Sequence, residues 1–505
     1  MTRWIGVAPF AASVFLVALL ISAAAIRHGL VGDDALRLWA GASLAADGQV
    51  PVGRIVAGYP TLPFLSSSLI AWLAPGGTPA PALVSAGLLA IIAAFCCGSL
   101  RRAGFSAVAS CAFTASIVFH PALLRALIVG PADICFAGFL LMLCLALYDL
   151  RARSGTSEVM AVGLSLMGLA FSHPAGAAVA FAAIPFLAFA VQPTLVANSA
   201  MNIVIALVFP TLFAIVAFSY ISWIFPGDGW TFLAAPTESL SLWAAAETHL
   251  LGNGMTNLLV VEAALAMAAA IAVGAPVAIA AGALIYRRRP LVIPPLVLLA
   301  AALAATVLSL VSGLFGDPAP IVVAAPVLAA AALLRVPPLR ERGSRIAMLL
   351  AVGWLCGFVG IALIDPVAVN RLEAVIERNG GERGDALAAG GISAPRNGVL
   401  ADIDNAPAFL LGRGSARGIF GPQSEAFTLA MLFARIDTPF VAVPDPQSRV
   451  GASDRLNKAF PALFHDGLPG YRVVYQNSTW RLFEKIKETG EFKSLGFNIY
   501  DRIHE

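Results

Sequence analysis

The chain has 505 residues, of which 59% are apolar and only 12% charged. A soluble domain cannot hide that much apolar surface, so lipid must be the solvent for most of it. A net charge of +3 gives no basis for a nucleic-acid partner.

Crossing a bilayer as helix takes about twenty apolar residues. The first such run is 7–26. Ala23-Ala24-Ala25 mimics a signal-peptide cleavage site, but the run is long for one, and it reads as a retained first helix. A polar loop, 27–78, follows. It opens on Asp33 and Asp34, then turns amphipathic: Leu36, Leu38, Trp39, Ala42 and Leu44 can lie flat on the membrane interface. The stretch Leu62 to Leu73 is too short and too broken for an ordinary span.

Ten more apolar segments follow at 79–99, 104–121, 132–149, 158–172, 175–192, 199–225, 256–285, 291–313, 318–335 and 345–364. Ser172-His173-Pro174 reads as a tight turn between two short spans. All six cysteines fall in residues 96–356, within apolar segments, and read as small apolar side chains of helices.

From Asp365 the composition changes. Acidic and basic residues are nearly balanced, and all four lysines of the chain lie here. VLADI (399–403), FVAVP (440–444), YRVVYQ and WRLFEK read as strands, the last two as a hairpin around Asn477-Ser478. Residues 424–435 read as a helix. The predicted organisation is a membrane domain, 1–364, of about eleven transmembrane helices, followed by a soluble α/β domain, 365–505.

Charge sets the orientation. With the N-terminus cytoplasmic, twelve arginines fall on the cytoplasmic side, and only Arg27, Arg37, Arg54 and Arg125 on the other. That asymmetry follows the positive-inside rule. Eleven spans then put 365–505 outside, which in a bacterial inner membrane is the periplasm.

The first loop carries a resemblance. An acidic pair, an amphipathic segment, a Gly48/Pro51 turn, Tyr59-Pro60, Leu62-Pro63 and a re-entering helix are similar to the first periplasmic loop of GT-C-fold glycosyltransferases. The nearest branch is that of the aminoarabinose transferases and protein O-mannosyltransferases. The plan of about eleven helices with a C-terminal periplasmic domain is also similar. The resemblance implies transfer of a sugar from a polyprenyl-phosphate donor to a lipid, glycan or protein acceptor of the cell envelope, with membrane lipids around the site.

By that resemblance Asp33 or Asp34 is the general base on the acceptor hydroxyl, Asp33 being preferred. Asp133 is the second acidic residue, in the loop between the third and fourth spans, and Arg125 in that loop contacts phosphate. An Arg snorkelling to the interface explains Arg125 equally well. Members of the branch carry a Lys before the paired prolines, and this chain has Tyr59-Pro60-Thr61-Leu62-Pro63. Carrier phosphate must then meet another group, such as Arg54, or the donor differs.

His120 and His173 each precede proline at a predicted outer edge. A capped turn accounts for them, and either can alternatively line the sugar pocket. Glu262 lies inside a predicted span, where a carboxylate is suspect, yet within reach of the interface. Trp230, Trp243, Glu238, Glu247 and His249 belong to an outer loop that can shape the acceptor site or form an aromatic belt. No metal-ligand set is read from the sequence, and a divalent cation is left open as the only cofactor. Two other readings compete: a non-catalytic subunit of a polysaccharide assembly or export complex, and a secondary transporter. The transporter would show inverted repeats and paired broken helices, and the sequence shows neither.

Overall fold

The computed structural model describes residues 6–27, 33–46, 48, 59–73, 80–153, 155–224, 257–285, 291–312, 315–336, 343–364, 382–422 and 424–486. The chain divides into two compact units, Met1–Asn379 and Gly380–Glu505.

The first unit is helical. Its elements are α1 (Val7–Arg27), α2 (Asp33–Ala46), α3 (Thr61–Leu73), α4 (Ala80–Arg102), α5 (Ala107–Val118), α6 (Pro121–Val129), α7 (Pro131–Arg153) and α8 (Thr156–Ser172). Then come α9 (Pro174–Ala190), α10 (Pro193–Ile224), α11 (Asn257–Gly274), α12 (Pro276–Ile285) and α13 (Ile293–Ser312). A 3-10 turn, Ala319–Val323, leads into α14 (Ala324–Arg335), and α15 is Gly343–Ile364. Proline opens α6, α7, α9, α10 and α12. Its missing N–H costs nothing at a first helical position and stops the preceding helix from running through.

Six of the described helices are long and apolar enough to cross a membrane, and there are eight spans if each of two bent pairs counts as one. The chain is therefore a multi-pass helical membrane protein. The six match the predicted segments starting at 7, 79, 132, 199, 291 and 345. The segments at 104–121 and 256–285 are the bent pairs. The other three are shorter: α8, α9 and the run Ala319–Arg335. Seventeen residues of helix rise about 26 Å, short of a hydrocarbon core of roughly 30 Å.

Two expectations are corrected. Paired broken helices are present: α5 and α6 meet at 57°, and the halves Val260–Gly274 and Pro276–Ala283 meet at 81°. Proline at 121 and at 276 is the cause, since neither ring can continue the helix before it. The amphipathic segment of the first loop also does not lie flat on lipid. In α2 the side chains of Leu36, Leu38, Trp39, Ala42 and Leu44 are buried, because α2 packs on α3 and α4.

The core of the bundle is α7. It is 78% buried across its membrane-length window, against 22% for α1. It packs against α8, α4 and α14, while α9 lies along α13 and α11 along α15. Large apolar side chains such as Leu20, Phe213 and Leu355 stay exposed on α1, α10 and α15, as a lipid-facing perimeter requires.

The second unit is α/β: α16 (Glu382–Ser393), β1 (Val399–Leu400), α17 (Pro407–Arg413), β2 (Ile419–Phe420), α18 (Glu425–Phe433), β3 (Phe440–Pro444), α19 (Arg449–Ser453), α20 (Arg455–Ala459), α21 (Leu463–Asp466), β4 (Tyr471–Gln476) and β5 (Trp480–Lys485). The strand order is β2-β1-β3-β5-β4. β1 runs parallel to β2 and β3, while β5 is antiparallel to β3 and β4. β3 is central, so its FVAVP is apolar without alternation. Leu400, Phe427, Val441, Val443, Leu456 and Phe483 form the core. Trp480 stacks on Phe409 at 5.1 Å.

Candidate functional site

Two His-Pro pairs build the same local device. A helix leaves its first N–H groups without partners. His173 caps α9 by accepting from the Ala175 N–H at Nδ1, 3.0 Å away. His120 does the same for α6 with the Ala122 N–H, at 3.2 Å. A neutral imidazole that accepts at Nδ1 carries its proton on Nε2. Each ring therefore has one donor left to place.

His173 brings it close to Asp133. Its Nε2 is 3.3 Å from Asp133 Oδ1. Arg125 Nη1 donates to the other oxygen, Oδ2, at 3.2 Å. Asp133 is 1% exposed and His173 7%, and the Arg125 side chain is 13% exposed. The three form one buried network. Asp133 sits in the first turn of α7, where the helix dipole favours a carboxylate. Arg125 comes from α6 and not from a loop, since HPALLRALIV folds as the second half of a bent helix. Phe136, one turn along α7, lies 6.1 Å from the His173 ring.

The first loop joins this region at two points. The Tyr59 hydroxyl donates to Ala170 O at 2.9 Å. Ala170 is among the last four residues of α8, whose carbonyls have no partner within the helix. The Tyr59 ring is 6.1 Å from Phe218, and Phe218 meets Phe171 edge-on at 5.5 Å. Tyr59 thus fastens the start of α3 to the helix end that delivers His173. The second point is Gly130, between α6 and α7. Its φ of +151° suits glycine, and a Cβ there would come within 2.9 Å of Ala35 Cβ. The first turn of α2 therefore lies against the residue that introduces Pro131 and Asp133. Asp33 and Asp34 open α2. Their side chains lie outside what is described, and Arg54 lies outside the described residues.

His120 is held elsewhere. Its Nε2 donates to Gly353 O at 3.1 Å. A Cβ on Gly357 would sit 2.7 Å from the ring, so α15 approaches here only because that side chain is missing. Gly274, next to the second helix break, also faces the ring. Trp354 Nε1 donates to Phe119 O at 2.8 Å. Both broken helices and α15 thus meet at His120, and the ring is a packing node of the bundle. Glu262 is exposed on α11 near Val261 and Leu265 and does not join the network. Trp230, Glu238, Trp243, Glu247 and His249 lie outside the described residues.

An ion pair that the sequence did not suggest closes the other end of α7. Arg335 Nη2 is 2.5 Å from Asp149 Oδ2. Sixteen residues of helix place it about 24 Å from Asp133. Among the described residues no group of three or more His, Cys, Asp or Glu side chains is arranged to hold a metal. All six cysteines are free. No family model matches the chain, and no curated protein matches it.

Proposed function

We propose that this protein is a membrane glycosyltransferase of the GT-C type. It transfers a sugar from a polyprenyl-phosphate donor to an acceptor at the outer face of a bacterial inner membrane. The observation that carries the reading is the buried Arg125–Asp133–His173 network beside the first turn of α2. Charged groups are costly among membrane helices and are kept where they serve a substrate path.

The chemistry divides among the residues as follows. The acceptor hydroxyl oxygen attacks the anomeric carbon. The bond from that carbon to the phosphate oxygen breaks, and polyprenyl phosphate leaves. The hydroxyl proton goes to a carboxylate. Asp133 is already paired with Arg125 and lies against His173, so the base is assigned to Asp33 or Asp34 at the start of α2. A guanidinium has five N–H donors, so Arg125 can hold Asp133 and also stabilise the departing phosphate. Asp133 and His173 orient Arg125. Tyr59 ties the start of α3 to the end of α8. The topology that goes with this reading has eleven spans, three of them short, a cytoplasmic N-terminus and a periplasmic second unit. The excess of arginine on one side supports that orientation.

The test uses membranes containing the full chain and a panel of radiolabelled polyprenyl-phosphate hexoses and aminoarabinose. Label should pass into an envelope acceptor, and Asp33→Asn with Asp34→Asn should abolish the transfer at unchanged expression. Full transfer by the double variant refutes the assignment. The paired broken helices favour one competitor, a transporter. Uptake of a solute by proteoliposomes, with no sugar transfer, would establish that reading instead.

A further inference from the structure

The second unit has a site of its own. Its parallel strands run in the order β2-β1-β3. The connection leaving β1 goes to one side, and the next crosses over β1 to the other. In open α/β sheets such a reversal opens a crevice at the carboxyl ends of the strands, between β1 and β3, and ligands bind there.

Three side chains gather at that point. Asp402 follows β1, and Asp454 and Asn457 follow β3. Asp402 Oδ2 accepts from the Arg455 N–H at 2.9 Å and from Asn405 Nδ2 at 2.7 Å. Asn405 Nδ2 also reaches Ser453 O. Asp402 is thus tied to the backbone on both sides of Asp454, directly at Arg455 and through Asn405 at Ser453. Asp454 Oδ1 accepts from the Asn457 N–H at 2.9 Å. Asn457 Nδ2 donates to Pro444 O and Gly451 O, which fixes which amide atom is oxygen.

Each of the three carries one further oxygen with no donor: Asp402 Oδ1, Asp454 Oδ2 and Asn457 Oδ1. The residues are 1%, 0% and 6% exposed. Arg455, the nearest cation in sequence, is only the smallest influence on Asp454 and sends its half-exposed guanidinium to Asp404, 3.2 Å away. Two carboxylates closed off from water need a positive charge. A neutral donor satisfies the lone pairs but leaves that charge unbalanced. Hard oxygen ligands, two anionic and one amide, suit Ca²⁺ or Mg²⁺.

We propose that Asp402, Asp454 and Asn457 hold a hard divalent cation at the β1/β3 switch point of the C-terminal unit. The ion ties the end of β1 to the turn after β3 and completes the crevice. The site is separate from the transferase reading and stands without it.

The experiment uses the full chain purified in detergent and freed of metal with a chelator. Mn²⁺ binding is followed by its paramagnetic resonance signal, and thermal unfolding is recorded with and without about 5 mM Ca²⁺, above the range in which extracellular oxygen sites fill. One Mn²⁺ per chain displaced by Ca²⁺ is expected, with unfolding raised by several degrees. Asp454→Asn and Asp402→Asn should each weaken binding at least tenfold. The wild-type titration decides the question even if a variant fails to fold. Absence of Mn²⁺ binding, with Asp454→Asn as stable as wild type, overturns the proposal and leaves a proton as the balancing charge. Binding that both variants retain also overturns it, because the ion is then elsewhere.

Discussion

Replacing Asp133 by asparagine tests whether its network is a structural unit. The amide is isosteric, so no cavity forms. It has one oxygen where the carboxylate had two, and one of the two incoming donors now faces the NH2. With the amide oxygen toward Arg125 at 3.2 Å, its NH2 meets His173 Nε2. That nitrogen can avoid the clash only by losing its proton, which moves to Nδ1. Nδ1 then no longer accepts from the Ala175 N–H, and α9 loses its cap, worth about 1 kcal/mol. In either orientation the mostly buried Arg125 loses the Asp133 charge. Breaking a buried pair by removing one charge costs roughly 3–5 kcal/mol. The expected loss for Asp133→Asn is therefore about 3 kcal/mol. Equilibrium unfolding of the full chain in mixed micelles by SDS titration measures it. A double-mutant cycle with Arg125→Met should give a coupling of at least about 1.5 kcal/mol. If Asp133→Asn lies within about 0.5 kcal/mol of wild type, the three residues do not act together.

The opposite end of α7 should behave differently: Arg335→Met removes a half-exposed pair, and the same titration should register a loss of about 1 kcal/mol or less. His120→Ala removes both a cap and the bond to Gly353 O, and opens a hole against α15. A loss of about 2–3 kcal/mol is expected, and a neutral variant would show that the broken helices do not rely on the ring. Gly130→Ala puts a methyl group against Ala35 Cβ at a φ that alanine avoids. It should push α2 away from α7, seen as faster amide exchange in 35–46 by mass spectrometry, and unchanged exchange there would contradict the contact.

The sequence was most legible where one physical signal dominated. Long apolar runs became helices, because nothing but helix satisfies the backbone in lipid. The hairpin of β4 and β5 and the buried β3 were readable from β-branched and aromatic runs. β2 was not, because the two residues Ile419 and Phe420 carry no period. VLADI shrank to Val399–Leu400 because the chain turns at Asp402 to bond the backbone of Arg455. At the candidate site the types Asp133, Arg125 and His173 stood out as polar residues in apolar surroundings. Their mutual pairing did not, since 48 residues separate Arg125 from His173. The breaks at Pro121 and Pro276 were visible as prolines, but a proline does not say whether a turn or a bent span follows. Trp39 and Leu36 misled, because an amphipathic stripe looks the same whether lipid or protein covers it.

Helix α7 is bolted at both tips, by Asp133 to α6 and α9 and by Asp149 to α14. Sliding it along its own axis, or rolling it, would strain both fastenings at once. A rearrangement within this unit is therefore easier for helices that lack such ties at both ends, with this central strut as the fixed frame.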